Sequence, residues 1–163
     1  MIKIDIQMKL LQERVASIRG RIATKRPFMQ SVAGIMLNAV KTNFQAGGRP
    51  PWKPSKRVQE KGGQTLIRSG MLLRSLQSRA TEDKALVGTN MPYAAIHQFG
   101  GKTKAHVIQA RRARALFWPG AKHPVKSVNH PGSTIPPRPF LALTDADKQD
   151  ILAAAKTYLE DKP

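Results

Sequence analysis

Four histidines, His97, His106, His123 and His130, lie within 34 residues, and they are the first place to look for chemistry. No two of them have the His-x-x-x-His spacing that sets a pair of ligands on one helix face, and the chain has no cysteine to complete a site. The same absence removes thiol nucleophiles, iron–sulfur clusters and disulfides, and fits a reducing compartment. Gly-x-Ser-x-Gly does not occur, nor does a Walker loop or Gly-x-Gly-x-x-Gly ahead of a helix. Gly62-Gly63 and Gly100-Gly101 read as turn glycines. Paired carboxylates, for acid/base work or for Mg²⁺, have few sources, because Asp and Glu together number 10. The expectation is a protein with no catalytic residue, no cofactor and no metal, and hence no enzyme.

Charge carries more information. Against those 10 acids stand 28 Lys and Arg, a formal net charge of +18. From Lys84 through Thr144 there are nine basic residues and no carboxylate. The acids gather at the C-terminus, at Asp145, Asp147, Asp150, Glu160 and Asp161. A single-sign field of this size favours an anionic partner such as nucleic acid, an acidic protein face or anionic lipid. A length of 163 residues fits a single domain over residues 1–163, and 40% hydrophobic residues suffice for a core. No apolar run reaches membrane-spanning length, and the N-terminus lacks the apolar block of a secretory signal.

Local periodicity supplies the elements. Ile2, Ile4 and Ile6 alternate with polar residues, as in a half-buried strand. Leu11, Val15, Ile18 and Ile22 then fall on one helix face, and Phe28 to Phe44 repeat that period until Gly47-Gly48 closes the helix. Both stripes are expected to be core. Ser69 is placed to cap a short helix over residues 71–76. Residues 77–81 and 84–89 suit a hairpin turning at Glu82-Asp83. A helical turn follows Pro92, with Tyr93, Ile96 and Phe99 expected inside. Thr144 followed by Asp147 resembles a capping box, opening a C-terminal helix with a stripe of Ile151, Leu152, Ala155, Tyr158 and Leu159. The fold class is α+β: a small antiparallel sheet packed with N-terminal and C-terminal helices.

Two stretches stand apart as candidate binding arms. Residues 46–65 are broken by Pro50, Pro51, Pro54 and two glycines, and read as a long irregular basic loop. It carries Arg49, Lys53 and Arg57, with Trp52 either an exposed anchor or a lid on the core. Residues 102–134 read as an extended basic β-hairpin, carrying Arg111, Arg112, Arg114, Phe117 and Trp118. These nine residues are the candidate partner interface. Either arm can meet phosphates, so a nonspecific nucleic-acid-binding protein is the alternative reading, although no base-reading module is present.

Four segments, in their order and spacing, resemble the phage virion morphogenesis (tail completion) family, which includes tail completion proteins of P2-like phages and the G proteins of Mu-like phages. They are Pro-Pro-Trp52-Lys-Pro, Leu66-Ile-Arg-Ser-Gly-Met-Leu-Leu-Arg-Ser-Leu76, Val87-Gly-Thr-Asn-Met-Pro-Tyr-Ala-Ala-Ile-His-Gln-Phe-Gly-Gly101 and Ile135-Pro-Pro-Arg-Pro-Phe-Leu-Ala-Leu143. The resemblance spans roughly residues 28–160. It implies a structural virion protein, assembled in the host bacterial cytoplasm and sited in the tail or neck. There it would act late in tail completion at the head-proximal end, in what the resemblance implies is a six-fold ring, against tail tube, sheath and neck or connector proteins. Six copies at +18 each would carry +108, tolerable if DNA lies in the lumen or acidic proteins face the ring. The family offers no catalytic residues to transfer.

Overall fold

A computed structural model describes residues 8–111 and 113–160. The strand expected over residues 1–6, and Arg112, lie outside them. The chain divides into two compact units, Met1–Pro92 with Phe140–Pro163, and Tyr93–Pro139.

In the first unit, α1 (Met8–Ala23) and α2 (Arg26–Gln45) follow the two helical periods. Pro27 sits in the first turn of α2, where its missing N–H costs no hydrogen bond. The acidic turn Glu82-Asp83 lies at that helix start: Lys25 pairs with Asp83, and the Arg26 N–H donates to Glu82 at 3.2 Å. At the other end the Gly47 and Gly48 amides return to the Phe44 and Asn43 carbonyls and close the helix. Helix α2 packs on α6 (Asp145–Glu160) and on the hairpin of β1 (Gln77–Ala80) and β2 (Ala85–Gly88). That hairpin pairs Ala80 with Ala85 and turns where the sequence placed it. The core forms between these elements: Val32, Ala33, Ala39, Val40, Phe44, Trp52, Leu72, Leu76 and Phe140 are buried. Thr144 and Asp147 make the predicted reciprocal cap, with the Thr144 N–H donating to Asp147 at 2.7 Å and the Asp147 N–H to Thr144 Oγ1 at 3.3 Å.

Four expectations for this unit need correction. The segment 46–65 is not irregular throughout, because α3 (Lys56–Lys61) forms within it behind a Ser55 N-cap. Ser69 does not cap α4 (Met71–Arg74); Gly70 does, at φ +72°, without a side-chain bond. The α1 stripe is not core, since no residue of α1 is buried. On α6, Leu152 and Leu159 of the expected inner stripe are exposed. For the last two, helical period fixed that a stripe exists, and tertiary partners decided whether it is covered.

The second unit begins with α5 (Ala94–Phe99), ended by Gly100. Tyr93 and Phe99 are exposed rather than core, Phe99 to 78%, because the six-residue helix has one inner side and Ala94 occupies it. Strand β3 (Gly101–Lys102) pairs with β6 (Thr134–Ile135), and β4 (His106–Gln109) with β5 (Ser127–His130), all antiparallel. An isolated bridge between Leu116 and Val125 lies nearer the tip, five residues out of the β4–β5 register. The extended hairpin expected over 102–134 is therefore present. Among the described residues the sheets are three, each two-stranded, and the fold is α+β. No helix among them is long and apolar enough to cross a membrane.

Candidate partner interface

The nine candidate residues separate by what they touch. Arg49 is the most committed. Its Nε donates to Asn43 Oδ1 at 2.7 Å, and its Nη2 to the Ala39 carbonyl and to Asp147 Oδ2, each at 2.9 Å. Asn43 is fully buried, and its amide nitrogen donates to the Phe140 and Ala142 carbonyls at 2.9 and 2.8 Å. One guanidinium thus joins α2, the loop after it, and the start of α6. Asp147 is pulled in opposite directions: burial raises its pKa, but the bonds from Thr144 and Arg49 outweigh this and hold it below 3.8.

Trp52 is also structural. It is 8% exposed and meets Phe44 edge-on, with ring centroids 5.7 Å apart. Phe140 also packs against Phe44, tilted, at 5.4 Å. Gly48, at φ +107°, makes room for the indole, because a Cβ there would sit 2.6 Å from the ring. Of the two sequence alternatives the structure shows the lid. Arg57 spends its donors on its own loop, reaching the Gln64 carbonyl at 2.7 Å and the Gly62 carbonyl at 3.4 Å. Lys53 is exposed. The first arm is therefore a fastened loop, held by Arg49, Trp52 and Arg57.

The second arm has the opposite character. Arg111, Arg114, Phe117 and Trp118 are all exposed, Phe117 to 67% and Trp118 to 43%. Val107 and Ile108 on β4 are exposed too. The tip turns through the Ala121 N–H donating to the Trp118 carbonyl at 2.9 Å. Residues 93–139 contain eight Lys and Arg and no carboxylate, so no acid of this unit offsets the field around these apolar groups.

The model of the phage virion morphogenesis family matches residues 6–160. The chain belongs to that family. Its relatives include the "Mu-like prophage FluMu G protein 2" of Haemophilus influenzae, 38% identical over 161 residues, which cover 96% of each chain. No solved structure matches. Membership assigns a role in phage virion assembly, and the four segments that carried the resemblance take their places accordingly: Trp52 under the core, α4 and β1, α5 with its glycine stop, and the Pro-Pro-Arg-Pro run leading to Phe140.

Sequence reasoning missed two features of this family member. His106 and His130, paired across β4 and β5, stack at 5.1 Å, an alignment visible only once the register is known. His97 is the other. Its carbonyl accepts from the Arg138 N–H at 2.7 Å, and its Nδ1 is buried with no partner among the described residues. Burial, reinforced by the Arg138 charge, lowers the imidazole pKa below 6.5. The folded state then binds fewer protons than the unfolded chain. The stability this contributes is complete above pH 6.5 and is lost as pH falls from there toward the folded value. We expect His97→Gln to shrink the drop in melting temperature between pH 7.5 and pH 5.5, chosen as about one unit either side of the ordinary histidine value. An unchanged drop would show that His97 does not titrate within the fold.

Proposed function

We propose that this virion assembly protein acts in tail completion, at the head-proximal end of the tail, as a subunit of a ring that stabilises head–tail joining. One observation carries the reading most directly: an acid-free hairpin arm that leaves Phe117 and Trp118 in solvent beside Arg111 and Arg114. An isolated protein gains nothing from two large exposed aromatics at the tip of a strand pair; a partner that buries them gains contact area and electrostatic attraction together. The neighbours are tail tube, sheath and neck or connector proteins, and DNA passing through the lumen touches the basic surface without being held.

The test is electron microscopy of particles made without the protein, complemented by variants. Tails lacking it should remain unjoined to heads, and Arg111→Ser, Arg112→Ser and Arg114→Ser together should reproduce part of that defect while the purified subunit melts normally. Assembly should also weaken as salt rises from ~0.15 to ~0.5 M, where screening shortens. Normal joining by the triple variant, or salt-indifferent assembly, would remove the electrostatic arm from the account.

The acid-free second unit also favours one other reading, a basic protein that coats nucleic acid. It predicts that the monomeric chain binds random duplex DNA with a steep salt slope. The assembly reading predicts weak binding in the same titration.

A further inference from the structure

Helix α1 presents its less apolar side to its own subunit. It meets α6 through Arg21, which donates to the Tyr158 carbonyl at 2.8 Å. The Tyr158 hydroxyl donates back to the Arg21 and Thr24 carbonyls at 3.2 and 2.6 Å. Ser17 and Arg21, one turn apart, are the half-buried positions of the helix. Except for Leu10, its large apolar residues lie elsewhere on the cylinder: Met8, Leu11, Val15, Ile18 and Ile22 are each 40–56% exposed.

Their spacing is three, four, three, four, which is the a/d alternation of a heptad rather than the wider stripe of a helix lying on a core. Ile4 continues the same alternation in the sequence. A seam this narrow is complementary to another helix. The positions beside it choose which helix. Gln12 and Arg19 fall at e, and Arg14 and Arg21 at g. A second α1 in parallel register would place Arg14 against Arg19 of the other copy, and an antiparallel one would again align arginines with arginines. Helix α6 of a second copy fits little better, because beside its exposed Leu152 and Leu159 the acids Asp145 and Glu160 are already paired with Lys148 and Lys156 of the same helix. The net charge of +18 opposes any contact between copies that does not neutralise it.

We propose that α1 is a docking helix for an acidic amphipathic helix of a different polypeptide, with apolar residues at a and d and Glu or Asp at the flanking e and g positions. The proposal rests on the assembly reading for its setting, since it names the chemistry of one virion partner. It is tested in solution, without particles, so either can fail while the other stands.

The probes are two synthetic heptad peptides with Ile and Leu at a and d, one with Glu at e and g and the other with Lys. The full chain should bind the Glu peptide about tenfold or more tightly than the Lys peptide, and less well as salt rises. Val15→Glu with Ile18→Glu should abolish binding and leave the melt unchanged, because both side chains are exposed. Arg14→Glu with Arg19→Glu should reverse the preference toward the Lys peptide, a result that a merely unfolded variant cannot produce. Equal binding of both peptides, or binding insensitive to the seam substitutions, would overturn the proposal. So would self-association of the chain that the seam substitutions abolish, since the occupant would then be a second copy.

Discussion

Replacing Asp147 with alanine is expected to destabilise the subunit by about 3 kcal/mol, the lower part of the range for breaking a buried ion pair. The lower part applies because the Arg49 side chain keeps 25% of its exposure while that of Asp147 keeps 10%. The loss has several sources. The Arg49 guanidinium remains inside without its anion, the Thr144 N–H loses its acceptor, and α6 loses its cap. Asp145→Ala, two residues earlier on the same helix start, should leave the denaturation midpoint where it was, since its pair with Lys148 is solvent-exposed. The pH profile gives an independent check. The Asp147 pKa is lowered from 3.8, so its contribution is present above that value and lost as pH falls through it. Asp147→Ala should therefore flatten the acid limb of the stability curve. If the two variants unfold alike in urea, the Arg49 node is not what fastens the loop to α6.

Trp52→Ala is expected to cost a similar ~3–5 kcal/mol, as large-to-small changes at packed aromatic sites do. The indole fills the space that Gly48 vacates and packs on Phe44, which is fully buried against Phe140. Truncation leaves a cavity beside the largest side chains of the core. The outcome separates two roles that the sequence left open for Trp52. As a core lid it loses stability in the isolated subunit. As a partner anchor it would melt normally and fail only in joining. Trp118→Ala is the matched contrast. At 43% exposure it should leave the urea midpoint close to that of the parent chain and lower incorporation into particles. A stable Trp52→Ala variant would move Trp52 back to the interface.

The contrast between these tryptophans shows how far residue type carries. Both are aromatic residues beside prolines in basic segments, Trp52 between Pro51 and Lys53, Trp118 before Pro119. Nothing local distinguishes them. Trp52 is inside because α2 ends next to it and Phe44 offers a ring face; Trp118 is outside because two short strands carry it away from any such face within its unit. Arg49 and Arg57 behaved likewise. Their charge marked them as surface candidates, yet each finds carbonyls or a carboxylate that the fold brings near, in the case of Asp147 from 98 positions along the chain.

What the sequence determined by itself is local in origin. The helical periods gave α1, α2 and α6, the glycine pair gave the end of α2, Thr144 with Asp147 gave the cap, Glu82-Asp83 gave the turn, and the family followed from four segments in order. Each depends on interactions spanning a few residues, so spacing is sufficient to reveal it. Tertiary structure alone decided which apolar stripes are covered. Helices α1 and α2 both carry an apolar stripe of helical spacing, but α2 meets a hairpin and a helix, whereas α1 meets α6 through Arg21 and leaves its seam in water. Burial is a property of two surfaces, and a sequence read along one element shows only the first.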